Sequence, residues 1–286
     1  MTARRWTGPL FVLPAFLVLV MLVFYPLVST AMLSVTDADG AYVGLDNFRT
    51  MLSASVTMTA FWNTLVYVGA SIVLQMALGL AAGILLNQQF LGRAVARSAL
   101  LIPWVVPGIV AATTWAWMFH TEFGIINYMM TATGLIDQPR GWLTNPQTVM
   151  PALVVVNVWK MFPFVAVMIL AGLQSIPETL YEAARVDGAT FRDEVRFIMI
   201  PQLRPVILSV SLLLLIWGLN AITLIYAMTK GGPANRSLIT PIQIFRQAFE
   251  FFQFNQAAAL SVVFFLVTLV VIALYLRLTA TAEEAA

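Results

Sequence analysis

The chain has 286 residues, 60% of them hydrophobic and only 10% charged, with a formal net charge of +2. A soluble domain is about 45–50% apolar and about 25% charged, so this is an integral membrane protein, and so small a net charge gives no electrostatic footprint for a nucleic-acid partner. There is no cysteine and one histidine, His120, which excludes a disulfide framework, a thiolate nucleophile and a Cys- or His-rich metal site.

Apolar runs of about 18–25 residues are candidate membrane-spanning helices. Six occur, near residues 9–33, 61–86, 99–119, 149–173, 206–228 and 257–277. The expected fold class is therefore all-α: a polytopic membrane protein with six transmembrane helices forming one domain over residues 1–286. The first run is too long for a signal peptide, and no small-x-small cleavage site follows it before Asp37, so it reads as a retained helix. Pro14 and Pro26 within it predict kinks or a helix start shifted inward. In the second run, Gly79 and Gly83 form a small-xxx-small pair that lets helix backbones approach closely.

The fourth run carries Lys160 near its middle, too far from either end to snorkel. A mid-membrane charge is costly and faces protein or a water-filled cavity. Asn157, Lys160 and Phe164 share one helix face. An amide, a cation and a ring on one stripe suit a polyhydroxylated solute; a polar tie to a neighbouring helix is the competing explanation. In the fifth run, Trp217, Asn220, Thr223 and Tyr226 recur at i,i+3 spacing. That mixed polar and aromatic stripe fits a solute pathway or interhelical hydrogen bonding equally well.

Between the fourth and fifth runs lies the longest polar interval, residues 175–205, rich in charges of both signs. Ser175 is placed to cap a helix, with Pro177 in its first turn and Glu178 at the capping-box position. Gly188 is placed to stop that helix, and Thr190 to cap a second short one with Asp193 in its first turn. Pro201 and Pro205 interrupt the chain before the next run. Balanced acids and bases suit a protein groove better than an anionic membrane surface.

Lys and Arg placement sets orientation. The flanks holding both termini and the 175–205 interval contain Arg4, Arg5, Arg93, Arg97, Arg185, Arg192, Arg196, Arg204 and Arg277; the opposite flanks contain Arg49, Arg140, Lys230, Arg236 and Arg246. The bias places both termini and the polar interval in the cytoplasm.

The segment Glu182-Ala183-Ala184-x-x-Asp187-Gly188-Ala189, followed by Ile198-x-Ile200-Pro201-x-Leu203-x-Pro205, resembles the EAA motif of ABC-importer permeases, with Ile200 where Leu is usual. The segments Asn157-x-Trp159-Lys160-x-x-Pro163-Phe164 and Thr229-x-Gly231-Gly232-Pro233 are similar to carbohydrate-importer permeases of the MalF type. The resemblance implies the ABC importer type I permease fold and a bacterial or archaeal plasma-membrane location. It implies that Glu182, Ala183, Ala184, Asp187, Gly188 and Ala189 form a coupling helix docking on a separate ATP-binding subunit dimer. It implies a MalG-type second permease, a periplasmic or lipid-anchored solute-binding protein, and a sugar contacted by Asn157, Lys160 and Phe164, with Trp217, Asn220 and Thr223 on the fifth span. Glycerol-phosphate and polyol importers share much of the pattern.

No phosphate-binding G-x-x-x-x-G-K-[ST] sequence occurs, so ATP and its Mg are expected on the partner ATPase, with no cofactor and no catalysis in this chain. A stand-alone ion-coupled carrier is the rival of another class; the paired intramembrane acids it would need do not appear in any run.

Overall fold

The computed structural model describes residues 7–284, so the Arg4–Arg5 pair counted above lies outside the described residues. The chain is helical, without a named strand among the described residues. In order, α1 is Thr7–Leu19, a π turn covers Val20–Phe24, and α2 is Tyr25–Ser34. Next come α3 Asp46–Ser53, α4 Ser55–Asn87, α5 Arg93–Leu100, α6 Ile102–Val105, α7 Gly108–Met118, α8 Ile125–Ala132 and α9 Val149–Gln174. The polar interval holds α10 Glu178–Val186, α11 Phe191–Asp193, a second π turn Glu194–Met199 and α12 Ile200–Gln202. The chain ends with α13 Arg204–Leu219, α14 Thr223–Thr229, α15 Thr240–Phe249 and α16 Phe254–Glu284.

Four helices are long and apolar enough to cross a membrane, at Val12–Ser34, Ser55–Asn87, Val149–Gln174 and Phe254–Thr279. The expected third and fifth spans are bent rather than straight. Arg93–Val105 meets Gly108–Met118 at 93°, and Phe191–Gln202 meets Arg204–Leu219 at 65°. Each bent pair counted as one span brings the total to six. The third span breaks where Pro107 follows Val106, because proline disfavours helical backbone at the residue before it. The fifth breaks a second time between Leu219 and Thr223, so its expected run to residue 228 is two helices.

Pro26 does not break the first span. The π turn just before it carries the Tyr25 amide to Val20 O, five residues back. The same device precedes Pro201, where Ile200 donates to Val195 O. A widened turn gives the proline ring room against the preceding carbonyls without ending the helix.

Two compact units divide the chain: Met1–Met58 with Gln243–Val271, and Thr59–Ile242 with Ile272–Ala286. In the first, polar side chains hold the loop after α2. Asn255 Nδ2 donates to Thr36 O at 2.8 Å and Asp37 O at 3.0 Å, and Asn47 Nδ2 to Thr36 O at 2.8 Å. In the second, α9 is the central element. Val156, Val165 and Ile169 are fully buried, and its lower half shares a core with Leu203, Val210 and Leu214 and with α4 residues Met76 and Leu80.

The α4–α9 contact is made possible by Gly79 and Gly83. A methyl group on Gly79 would fall inside the Val165 side chain, and one on Gly83 would lie 2.7 Å from Ile169 Cγ2 and 3.0 Å from Ala166 O. The small-xxx-small pair therefore packs helices within this chain. Gly79→Ala should destabilise the detergent-solubilised protein by about 1–3 kcal/mol through overpacking, while Gly69→Ala, which meets nothing within 4 Å, should be neutral; chemical denaturation in mixed micelles reads the difference.

Candidate functional site

The polar interval is a helix–turn–helix built largely by local signals. Gly188, at φ +80°, ends α10. Ala189 N–H donates to Ala184 O at 2.9 Å and Gly188 N–H to Arg185 O at 3.1 Å, the paired bonds of a Schellman stop. Thr190 then opens α11 with a reciprocal capping box to Asp193: Thr190 N–H donates to Asp193 Oδ2 at 2.9 Å and Asp193 N–H to Thr190 Oγ1 at 3.4 Å. Ser175 does not cap α10. It closes α9 instead, its hydroxyl donating to Gly172 O at 2.8 Å, and Pro177 occupies the N-cap position without a side-chain bond. The hydroxyl was captured by the carbonyl three residues earlier.

The two limbs are locked by an ion pair, Arg185 Nε to Glu194 Oε1 at 2.8 Å, with Glu194 buried and Arg185 exposed. Hydrogen bonding to Glu194 holds the Arg185 guanidinium firmly charged, its pKa raised further. Tyr181 points inward and joins the core containing Val165 and Ile169. Burial, with Glu194 and Glu178 nearby, pushes its phenol pKa up. Tyr181 and the ion pair line a cavity of about 580 Å³ against the end of α4. Glu182, Ala183, Asp187 and Gly188 are exposed, Ala184 and Ala189 half-buried. Exposed apolar groups flank them, Val186 at 87% and Phe197 at 66%.

The second cluster surrounds the break in the third span. Lys160 Nζ donates to Val106 O at 2.5 Å and to Trp104 O at 3.4 Å. These carbonyls sit at the C-terminal end of α6, where helix hydrogen bonding has run out, and a cation there also opposes the negative end of the helix dipole. These bonds tie Lys160 to a neighbouring helix. Beside it, Trp104 stacks on Phe164 with centroids 5.6 Å apart, and Phe164 meets Trp217 at 5.1 Å. Trp104 and Trp217 keep 41% of their surfaces exposed, so the three rings form a partly exposed aromatic shelf. Asn157 and Trp217 meet at a separate small cavity of about 100 Å³.

Asn220 and Thr223 do not continue the stripe begun by Trp217. Asn220 is the C-cap of α13, its Nδ2 folded back to Ile216 O at 2.9 Å. Thr223 opens α14, which packs along α7; a Cβ on Gly108 would lie 3.5 Å from Thr223 Cγ2. An i,i+3 stripe needs an unbroken helix, and this one breaks at Asn220. Two residues of the cavity wall, Ser71 and Gln75 on α4, were missed. Their i,i+4 spacing on one helix face was the available signal.

The Thr229–Pro233 motif forms a tight turn against α4. Thr229 Oγ1 and Ser237 Oγ are 2.8 Å apart. Asn63 Nδ2 donates to Asn235 O at 2.8 Å and Leu238 O at 3.0 Å, and Thr240 N–H to Thr64 Oγ1 at 2.9 Å.

The all-helical spans and the capped helix–turn–helix between two of them agree with the ABC importer type I permease fold, which the family and structural matches show. Residues 75–281 match the family of binding-protein-dependent transport system inner membrane components, and the chain belongs to that family. It is 32% identical over 275 residues to the trehalose/maltose transport system permease protein MalF of Thermococcus litoralis, covering 94% of this chain and 92% of that one. It is 32% identical over 285 residues to the sulfoquinovosyl glycerol transport system permease protein SmoG of Agrobacterium fabrum, covering 98% and 92%. Its fold matches a chain of a bacterial ABC transporter involved in the import of the acidic polysaccharide alginate, with a TM-score of 0.87 at 21% identity over 98% of this chain and 96% of that one.

Lys160→Met should leave the Val106 and Trp104 carbonyls without their donor and cost about 1–3 kcal/mol, with Lys160→Arg restoring part of the loss. Denaturation in mixed micelles checks both; equal stability of Lys160→Met and wild type would remove the capping role.

Proposed function

We propose that this chain is a pore-forming permease subunit of an ATP-driven sugar importer, moving solute inward by alternating access. The observation that carries it is the pairing of an exposed, rigidly capped helix–turn–helix with an aromatic shelf and a small cavity carrying Ser71, Gln75 and Asn157 in the spans of the same unit. Named relatives handling trehalose, maltose and sulfoquinovosyl glycerol support a glycosidic or polyol solute.

In this reading the 175–205 loop lies in the cytoplasm with both termini. Glu182, Ala183, Ala184, Asp187, Gly188 and Ala189 meet a groove of a separate ATP-binding subunit dimer, which holds ATP and Mg and performs hydrolysis. A MalG-type second permease completes the pore, and a periplasmic or lipid-anchored solute-binding protein delivers the sugar from outside. A solved relative by fold is a bacterial alginate ABC transporter in complex with an alginate pentasaccharide-bound periplasmic protein, which supports that division of labour.

The solute path runs past Asn157, Phe164 and Trp217. Flat faces of the shelf stack on the apolar face of a sugar ring, and the Asn157 amide bonds its hydroxyls. Lys160 serves the path by holding α6 and Trp104 in place. Asn220 and Thr223 lie at the hinge between α13 and α14 and act on the path through that joint.

Co-purification with an ATPase and a second permease, followed by binding-protein-dependent sugar uptake in proteoliposomes, tests the assignment; solitary gradient-driven uptake would overturn it. Within the assembled complex, Gly188→Val forces a β-branched residue into positive φ and should reduce ATP-driven uptake about tenfold or more while the spans still assemble. Undiminished coupling in that variant would remove the docking role of the loop.

A further inference from the structure

The wall of the small cavity contributed by α4 is not accounted for by the residues above. Ser71 is 2% exposed, and its hydroxyl has no hydrogen-bond partner among the described residues. The buried hydroxyls of Tyr67 and Tyr181 also lack a partner among the described residues, but among the aliphatic hydroxyls of the spans Ser71 differs from several others. Thr64, Thr113, Ser211 and Ser261 all donate back to the carbonyl four residues earlier, the ordinary resting place for a hydroxyl in a membrane helix. Ser71 leaves that bond unmade and lines the cavity instead. One turn on, Gln75 is also 2% exposed and lines the same cavity, its Nε2 reaching only a long 3.3 Å bond to Asn157 O.

Leaving a buried hydroxyl without a partner costs about 1–3 kcal/mol, so the arrangement makes sense where a partner enters. The cavity holds no ionisable group, which suits a neutral hydroxyl over an ion. Its roughly 100 Å³ takes about three water-sized groups at about 30 Å³ each, so a sugar ring does not fit whole. Trp217 belongs to both the cavity and the aromatic shelf. A ring stacked against Trp217 would therefore lie next to the cavity that Ser71 and Gln75 line.

We infer that Ser71 and Gln75 are specificity-determining residues that read the hydroxyl groups on one edge of the transported sugar. The inference rests on the sugar-importer reading and adds to it a second wall, on α4, adjoining Asn157.

The test uses the complete transporter, with its second permease, ATPase and solute-binding protein, in proteoliposomes. Uptake of maltose, trehalose and glucose is compared with that of their monodeoxy analogues for wild type, Ser71→Ala and Gln75→Met. Discrimination by the binding protein is common to all three and cancels in the ratio. For at least one hydroxyl position, wild type should prefer the parent sugar over the deoxy analogue by about fivefold to tenfold more than Ser71→Ala does, the value of one neutral hydrogen bond. Gln75→Met should lose discrimination at the same or an adjacent position. Unchanged ratios in both variants would overturn the inference, as would a change in maximal rate alone, which would mean that the groups hold only water. Should Gln75→Met fail to assemble, Ser71→Ala, which removes a single oxygen, decides the matter alone. If wild type imports neither these sugars nor any other glycoside carried by its solute-binding protein, the sugar-importer reading itself falls, and the subsite falls with it.

Discussion

The close approach of α4 to α9 is the constraint on which the second unit depends. Between membrane helices there is no hydrophobic driving force, because lipid tails are as apolar as leucine, so contact must come from shape. Gly79 and Gly83 provide that shape by bringing one backbone against Val165, Ala166 and Ile169. With α9 seated there, its upper half carries Asn157, Lys160 and Phe164 toward the break in the third span. Its lower half shares a core with Tyr181 and Met199 of the polar loop. One contact therefore fixes the position of both candidate sites.

The second constraint is the accounting of backbone polar groups in a medium without water, where each unpaired group costs several kcal/mol. The breaks in this chain are tolerated because each has a local remedy. At Val106 the remedy is an ammonium group from the neighbouring helix. At Pro26 and Pro201 it is a π turn immediately upstream. At Asn220 the side chain turns back onto Ile216 O. Lys160 is costly in a membrane only while unpaired; the same absence of water that penalises it makes its two carbonyl bonds strong.

What could be read from the sequence follows from how local each determinant is. Gly188, Thr190 and Asp193 act within a few residues, so the helix stop at Gly188 and the helix start at Thr190 are legible, while the reciprocal bond that makes a capping box of Thr190 and Asp193 comes from the structure. Ser175 was misplaced because two helices compete for it, and the end of α9 lies closer to its hydroxyl than the start of α10. The stripe from Trp217 to Tyr226 failed because equal spacing carries a side chain around a helix only if the helix continues, and nothing in Leu219-Asn220-Ala221-Ile222 forbids continuation. Lys160 was legible as anomalous but not as a cap, since its partners are backbone carbonyls more than fifty residues away. Ser71 and Gln75 passed unnoticed because uncharged polar residues in an apolar run are usually satisfied by their own helix.

The polar loop is tied to the spans by two contacts and held together by a third. Tyr181 enters the core and Leu203 packs against Gly172, where a Cβ would meet its Cδ2 at 2.7 Å, while the Arg185–Glu194 pair joins the loop's own two limbs. A packed core shifts between discrete arrangements rather than deforming smoothly. A displacement imposed on α10 therefore moves α9 and the start of α13 with it, or separates the loop from its own core at the cost of both the Tyr181 and the Leu203 contacts. The first alternative transmits motion to the aromatic shelf, because Phe164 and Trp217 stand on those same two helices. The breaks at Val106–Pro107 and at Asn220 separate α7 and α14, which pack on one another, from α6 and α13, so these two helices are not continuous with the half that the loop core holds.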